Sequence, residues 1–408
     1  RNVTGVQTCA LPIYFDKNGT VIGSFNAPQG HGMDVDSKGF VYSDGWVDDA
    51  RLVVLNALDA AEHGARILTH TRCESAQRVG DRWTASLRQS DGTTLEVNAR
   101  CVVNAAGPWA ARFLQEAVAH PSNKALRLVK GSHIVVRKMF DHPYAYIFQN
   151  PDGRIVFVIS YEQDFTLVGT TDLEYTGDTD RVAIEQSEID YLCRLTERYF
   201  QQPIKPTDVI WSYSGVRPLL EDASTNASEI TRDYKLTLEG DHAPLLSVFG
   251  GKITTFRKLA EEAVDMIAAR LGNSHGTWTE HACLPGGDIY GAPQNRAVLD
   301  FDGFVGALQQ SYAWLPPKLV ARYARAYGTR IHRLLEHRTC LADMGKALAD
   351  GLYEAELDYL VKNEWASSSA DILWRRSKLG LHLPADTAQR IDQWLAHKKE
   401  ESRQLAMA

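Results

Sequence analysis

Three side chains of this 408-residue sequence have the chemistry to move a proton and hold an anion. His133 sits in Lys130-Gly131-Ser132-His133, within a run that alternates apolar and polar residues. A neutral imidazole accepts a proton near physiological pH, although a lone histidine on a strand also serves packing. Arg217, in Ser214-Gly215-Val216-Arg217-Pro218, carries a planar guanidinium that can grip two oxygens of a dianion at once. Glu221 and Asp222 offer it an ion pair instead. Lys252 follows Gly250-Gly251 where an apolar run changes period, and Gly169-Thr170-Thr171-Asp172 closes another run that ends a strand and begins a turn.

The turn at Gly250-Gly251 organises the rest. Leu245, Leu246, Val248 and Phe249 read as a buried strand, and Ile253, Phe256, Leu259, Ala260, Ala263, Val264 and Ile267 then recur at helical spacing. Two glycines allow positive φ and close approach of a ligand, while the first amides of a helix have no partner within it and attract negative charge. Lys252 opposes the helix dipole, a local cost that a bound anion relieves. The alternative is an ordinary strand-to-helix turn with an exposed lysine. Asn104-Ala105-Ala106-Gly107-Pro108-Trp109 is a second turn of this kind: small residues at the carboxyl end of a strand, where open α/β sheets bind ligands, with proline suited to the first helical position. Tight packing of strand on helix selects the same small residues.

In order along the chain, Ser43-Asp44-Gly45-Trp46, Asn104 to Trp109, Lys130 to Val136, Phe165 to Asp172, Tyr213 to Leu219 and Gly250 to Glu261 resemble the FAD-dependent glycerol-3-phosphate dehydrogenases. The resemblance implies oxidation of sn-glycerol 3-phosphate to dihydroxyacetone phosphate, with FAD passing electrons to quinone at the cytoplasmic face of the inner membrane. It implies a peripheral membrane protein, as a homodimer, in glycerol metabolism. It assigns His133 as base, Arg217 as phosphate grip, Lys252 as a positive charge beside flavin and substrate, and Thr171 as a further substrate contact. Its cofactor contacts fall on Cys73, Ala105, Ala106, Gly107, Trp109, Gly250, Gly251, Lys252, Ile253 and Thr254. Relatives that use oxygen, FAD-dependent amine or D-amino-acid oxidases, and an inactive fragment are the alternatives. The family's first βαβ unit with its GxGxxG would precede Tyr14, so the expectation is weak FAD binding by the 408 residues alone.

The elements that must hold these residues read as α/β followed by α. Residues 1–13 look unrelated to the rest of the chain, and 14–43 read as glycine-rich turns, including Asn18-Gly19 and Gly30-His31-Gly32. Asp48 or Asp49 caps a helix with Leu52, Leu55, Leu58 and Ala61 on its apolar face, ended by Gly64 before a strand at 65–71. A hairpin, residues 82–89 and 94–100, turns at Asp91-Gly92. A Rossmann-like FAD domain is thus expected over 14–125 and again over 236–284, interleaved with an antiparallel substrate domain over 126–235. A helical domain comes last, over 285–408. There Tyr353, Leu357, Leu360, Val361 and Trp365 share a face, Asp386 to Gln389 forms a capping box, and Trp374 to Arg376 reads as a solvated face, a dimer contact or a membrane-surface contact.

Composition agrees. With 44% hydrophobic and 23% charged residues the chain is globular and long enough for two or three domains. A net charge of −7 argues against a general nucleic-acid binder. The six cysteines are widely spaced, without a CxxC pair, and read as reduced thiols of a cytoplasmic protein. No run reaches the roughly 18 apolar residues of a membrane span.

Overall fold

The computed structural model describes residues 6–7, 13–15, 21–24, 32–36, 39–43, 46–119, 126–142, 144–150, 152–220, 234–273, 275–291 and 300–407. Its contacts divide the chain into two units, one of 1–10, 44–69 and 281–408, the other of 11–43 and 70–280. Turns expected at Asn18-Gly19 and Gly30-His31, the sequence before Val6, and the Arg217 partners Glu221 and Asp222 lie outside the described residues.

Six short strands come first. β1 (Val6–Gln7) pairs with β6 (Trp46–Val47), while β2 (Ile13–Phe15), β3 (Val21–Ser24), β4 (Gly32–Asp36) and β5 (Gly39–Ser43) form an antiparallel sheet in the order β3-β2-β5-β4. Residues 14–43, read from the sequence as turns, therefore hold strands. Helix α1 (Asp49–Glu62) starts as expected, with the Asp48 carboxylate accepting from the Arg51 amide and Leu52, Leu55 and Leu58 buried. The strand expected at 65–71 forms later, as β7 (Thr71–Val79), which pairs with β8 (Arg82–Gln89) and through it with β9 (Thr94–Ala99). A bulge between Cys73 and Ser75 breaks the alternation that would have revealed it.

β10 (Val102–Asn104) then leads through a short turn into α2 (Ala110–Glu116). The antiparallel sheet matches expectation closely: β11 (Leu126–Arg137), β12 (Tyr146–Gln149), β13 (Ile155–Tyr161), β14 (Phe165–Gly169), β15 (Leu173–Glu174) and β16 (Trp211–Leu220), in the order β12-β13-β14-β11-β15 with β16 also on β11. Helix α3 (Gln186–Glu197) covers one face, where Leu192, Cys193 and Leu195 pack with Ile134, Val136, Val156, Val158 and Val168. β17 (Tyr234–Glu239), β18 (Leu245–Gly250) and α4 (Phe256–Leu271) complete this unit. α4 begins after a 3₁₀ turn at 253–255, so Ile253 and Val264 are exposed instead of sharing its packed face.

In the other unit α1 joins α5 (Phe301–Ser311), α6 (Pro317–Tyr327), α7 (Ile331–Leu334), α8 (Glu354–Glu364) and α9 (Thr387–Met407). Its core is apolar and aromatic, including Val320, Tyr323, Tyr327, Leu357, Leu360 and Ile391. Val361 is exposed, contrary to the face read from the sequence. Arg376 is no solvated residue either: its Nε donates to the Glu364 carbonyl at 2.8 Å and the side chain is buried. The Asp386 carboxylate pairs with Arg390.

Arg51, from α1, inserts into this core and meets the fully buried Glu364, with Nη2 to Oε1 at 3.1 Å. A buried pair is costly to break because removing one partner strands a charge, whereas replacing both can be neutral. Arg51→Ala is expected to destabilise this unit by about 3 to 5 kcal/mol in denaturant unfolding, and Arg51→Met with Glu364→Leu to recover most of that loss.

Candidate active site

The strand pair β11–β16 builds the site by simple alternation. Successive side chains point to opposite faces, and the register Val135↔Trp211, His133↔Tyr213, Gly131↔Gly215, Val129↔Arg217 sets the odd-numbered residues on one face. The even-numbered residues turn towards α3: Lys130 reaches Glu185 at 2.7 Å and Glu188 at 2.9 Å, and the Ser132 and Ser214 hydroxyls meet at 2.8 Å. The face away from α3 therefore carries His133 and Arg217, separated by a rung made of two glycines.

Those side chains fit because neighbouring glycines make room. A Cβ on Gly169 would stand 2.3 Å from His133 Cδ2, and one on Gly131 would stand 2.8 Å from Arg217 Nη2 and 2.6 Å from Thr170 Oγ1. The His133 ring stacks on Tyr213 with centroids 4.9 Å apart. Burial, together with the positive charge of Arg217, pushes the imidazole down to about 4. The ring is thus neutral at physiological pH, and its buried Nδ1 has no hydrogen-bond partner among the described residues. Arg217 Nη1 donates to Asp172 Oδ1 at 2.7 Å and Nη2 to Thr170 Oγ1 at 3.3 Å, while the side chain stays about one-third exposed, at 33%.

The segment 169–172 thus supplies the arginine's partners, and its own anchor lies beneath. Thr171 is 1% exposed, donates its hydroxyl to Glu188 Oε1 at 2.6 Å and accepts the Ser132 amide at 2.9 Å. This corrects the expectation of a substrate contact: both capacities of the Thr171 hydroxyl are used, and Thr170 is the threonine beside Arg217. Burial alone would raise the Glu188 carboxyl, but the hydrogen bonds from Thr171, the Glu185 amide and Lys130 hold it below the ordinary range.

The two glycine turns are brought together by the only parallel pairing among the described strands, β10 with β18, in register Val102↔Leu245 to Asn104↔Ser247. Ala105 to Trp109 and Val248 to Lys252 consequently leave the same sheet end. Asn104 is buried and donates to the Ala110 carbonyl at 3.0 Å, holding the first turn. Gly250 and Gly251 have φ of 75° and 107°, which a side chain would resist. Ala105, Gly251, Lys252, Ile253 and Thr254 are exposed. Trp109 donates its indole N–H to Asp180 at 2.8 Å. β16 packs against both β18 and the 107–109 turn, bringing the Arg217 strand beside these ends. Cys73 does not join them: its thiol donates to the Ser75 carbonyl and its side chain packs on the core of Ala76, Trp83 and Phe249. A helix start, two glycines at positive φ and exposed small residues at one sheet end fit a dinucleotide cofactor.

Fold and site define an FAD-dependent oxidoreductase: residues 27–257 match the family described as FAD dependent oxidoreductase, and 277–402 match the C-terminal domain of alpha-glycerophosphate oxidase. Glycerol-3-phosphate dehydrogenase from Pseudomonas aeruginosa is 49% identical over 88% of this chain and 69% of its own length. D-erythritol 1-phosphate dehydrogenase from Brucella abortus is 45% identical, over 89% and 71%. The crystal structure of glycerol-3-phosphate dehydrogenase from Bacillus halodurans complexed with FAD superposes with a TM-score of 0.74 at 25% identity, covering 88% of this chain and 71% of that one. The chain belongs to the FAD-dependent glycerol-3-phosphate dehydrogenase family.

Sequence reading missed Thr170, Asp172 and Tyr213 as shapers of the site. The signal for the last was the odd-residue alternation through Gly215 to Arg217. His133 has a folded value below the ordinary 6.5, so its contribution to stability is complete above that pH and is lost as pH falls through about 4. An NMR titration of the His133 ring in the folded protein is expected to give a midpoint near 4; a midpoint near 6.5 would put the ring in solvent.

Proposed function

We propose that the chain oxidises the C2 hydroxyl of sn-glycerol 3-phosphate to the ketone of dihydroxyacetone phosphate. One observation carries this reading: a neutral, half-buried imidazole and a held guanidinium share one sheet face across a glycine rung. FAD, when bound, supplies the acceptor for the hydride that leaves C2. Ala105, Ala106, Gly107, Gly250, Gly251, Ile253 and Thr254 would hold it, with Lys252 at the same sheet end. His133 takes the hydroxyl proton, which its neutral state permits. Arg217, oriented by Asp172 and Thr170, keeps donor capacity for a phosphate dianion and fixes which carbon faces the imidazole. Lys252 adds positive charge where anionic groups gather; it is exposed, with no side-chain hydrogen bond among the described residues.

The proposal extends to quinone as electron acceptor and to a peripheral membrane homodimer in glycerol metabolism, on the strength of the resemblance. Among the described residues no helix is long and apolar enough to cross a membrane. The Brucella relative supports a second reading, in which a longer polyol phosphate is the substrate. The same two groups serve either.

In the flavin-loaded protein, His133→Ala is expected to slow stopped-flow flavin reduction by roughly 10²-fold or more. An unchanged rate would return the ring to packing. Arg217→Lys keeps the charge but loses the two-pronged geometry, so affinity for the phosphorylated substrate should fall by about 1.5 to 3 kcal/mol. The preference over plain glycerol should shrink accordingly. Assays across glycerol 3-phosphate, D-erythritol 1-phosphate and D-amino acids, with a quinone analogue and with oxygen, decide substrate and acceptor; preference for a D-amino acid would overturn the assignment.

A further inference from the structure

Among the described residues nothing in the fold requires Gly215 to be glycine. Its φ lies outside the positive region occupied by Gly250 and Gly251, so no turn or bulge requires it. It stands inside β16, paired with Gly131, where a side chain ordinarily improves a strand. Its partner is explained by packing, since a Cβ on Gly131 would strike Thr170 and Arg217. A Cβ on Gly215 would meet no described atom within 4 Å, and the residue is exposed. By alternation the vacant position lies on the face of His133 and Arg217, in the rung between that of His133 and Tyr213 and that of Val129 and Arg217. A glycine that neither backbone nor neighbours demand, set between a base and an anion grip, marks close approach by a ligand.

We infer that Gly215 is the floor on which the carbon skeleton of the substrate lies, so that the absent side chain sets how the chain between phosphate and reacting carbon is accommodated. The inference rests on the proposed use of His133 and Arg217 and adds a residue that acts by shape alone. A methyl group there occupies ligand space without touching any of the described residues. It leaves the strand as stable as before or more so, because alanine gives up less backbone freedom on folding.

The test uses the flavin-loaded protein with Gly215→Ala and Gly215→Val. The expected result is an unchanged or higher Tm together with a KM for glycerol 3-phosphate raised roughly tenfold or more, larger for valine, in keeping with the discrimination a single methylene supports. Inorganic phosphate, titrated calorimetrically as a probe of Arg217 alone, should bind both variants as it binds the parent. A KM within twofold of the parent in both folded variants would overturn the inference, as would an equal loss of phosphate affinity, which would mean that the added carbon had moved Arg217. If His133→Ala and Arg217→Lys impair flavin reduction while Gly215→Ala does not, only the floor fails. If the two polar variants are silent, the catalytic reading fails first.

Discussion

A buried carboxylate, Glu188, bears the architecture of the site. It projects from α3, accepts the Thr171 hydroxyl and pairs with Lys130, all three residues being at most 2% exposed. Thr171 in turn takes both polar groups of the Ser132 backbone, accepting its amide and donating its own amide to the carbonyl at 3.2 Å. The crossing of residues 169–172 over β11 is thereby fixed at its centre. Its flanks shape the site directly: Gly169 clears the His133 ring, and Thr170 and Asp172 orient Arg217. A charge hidden on one face of the sheet thus governs geometry on the other. Buried charges are tolerated when paired and fully hydrogen-bonded, and this one has Thr171, the Glu185 amide and Lys130 around it.

The cofactor end obeys a different rule. Backbone conformation, more than charged side chains, shapes the turns after β10 and β18. Parallel pairing places their carboxyl ends side by side, Asn104 ties down one turn, and Thr255 closes the other by donating to the Lys252 carbonyl at 3.1 Å. Exposed amides and small residues at a sheet end accept a large anionic cofactor without a pocket of specific side chains.

Much of this was legible in the sequence, for identifiable reasons. The antiparallel sheet expected over 126–235 is there, its strands running from Leu126 to Leu220. Of the two aspartates offered as a cap, Asp48 or Asp49, the structure takes Asp48, and such a cap is legible because its side chain bonds locally. What stayed hidden depends on partners distant in sequence. Arg51 and Arg376 look like surface residues until Glu364 and Asp371 are placed around them. β7 carries Arg72, Glu74, Gln77 and Arg78, and its bulge shifts the period, so it imitates a loop. Thr171, expected at the substrate, faces Glu188 and the Ser132 amide, while Thr170 beside it meets Arg217, because one residue along a strand end reverses the face.

The pairing of Arg51 with Glu364 also sets an order on biosynthesis. The two residues lie 313 positions apart, and the whole of 70–280 belongs to the other unit. At translation rates of about 5 to 20 residues per second, α1 leaves the ribosome roughly 15 to 60 seconds before α8 exists to receive it. Throughout that interval its leucine face and its arginine lack their eventual surroundings, while the strands of the intervening unit are made to completion before α8 begins. The helical unit is thus completed only when its late helices reach a piece made about 300 residues earlier.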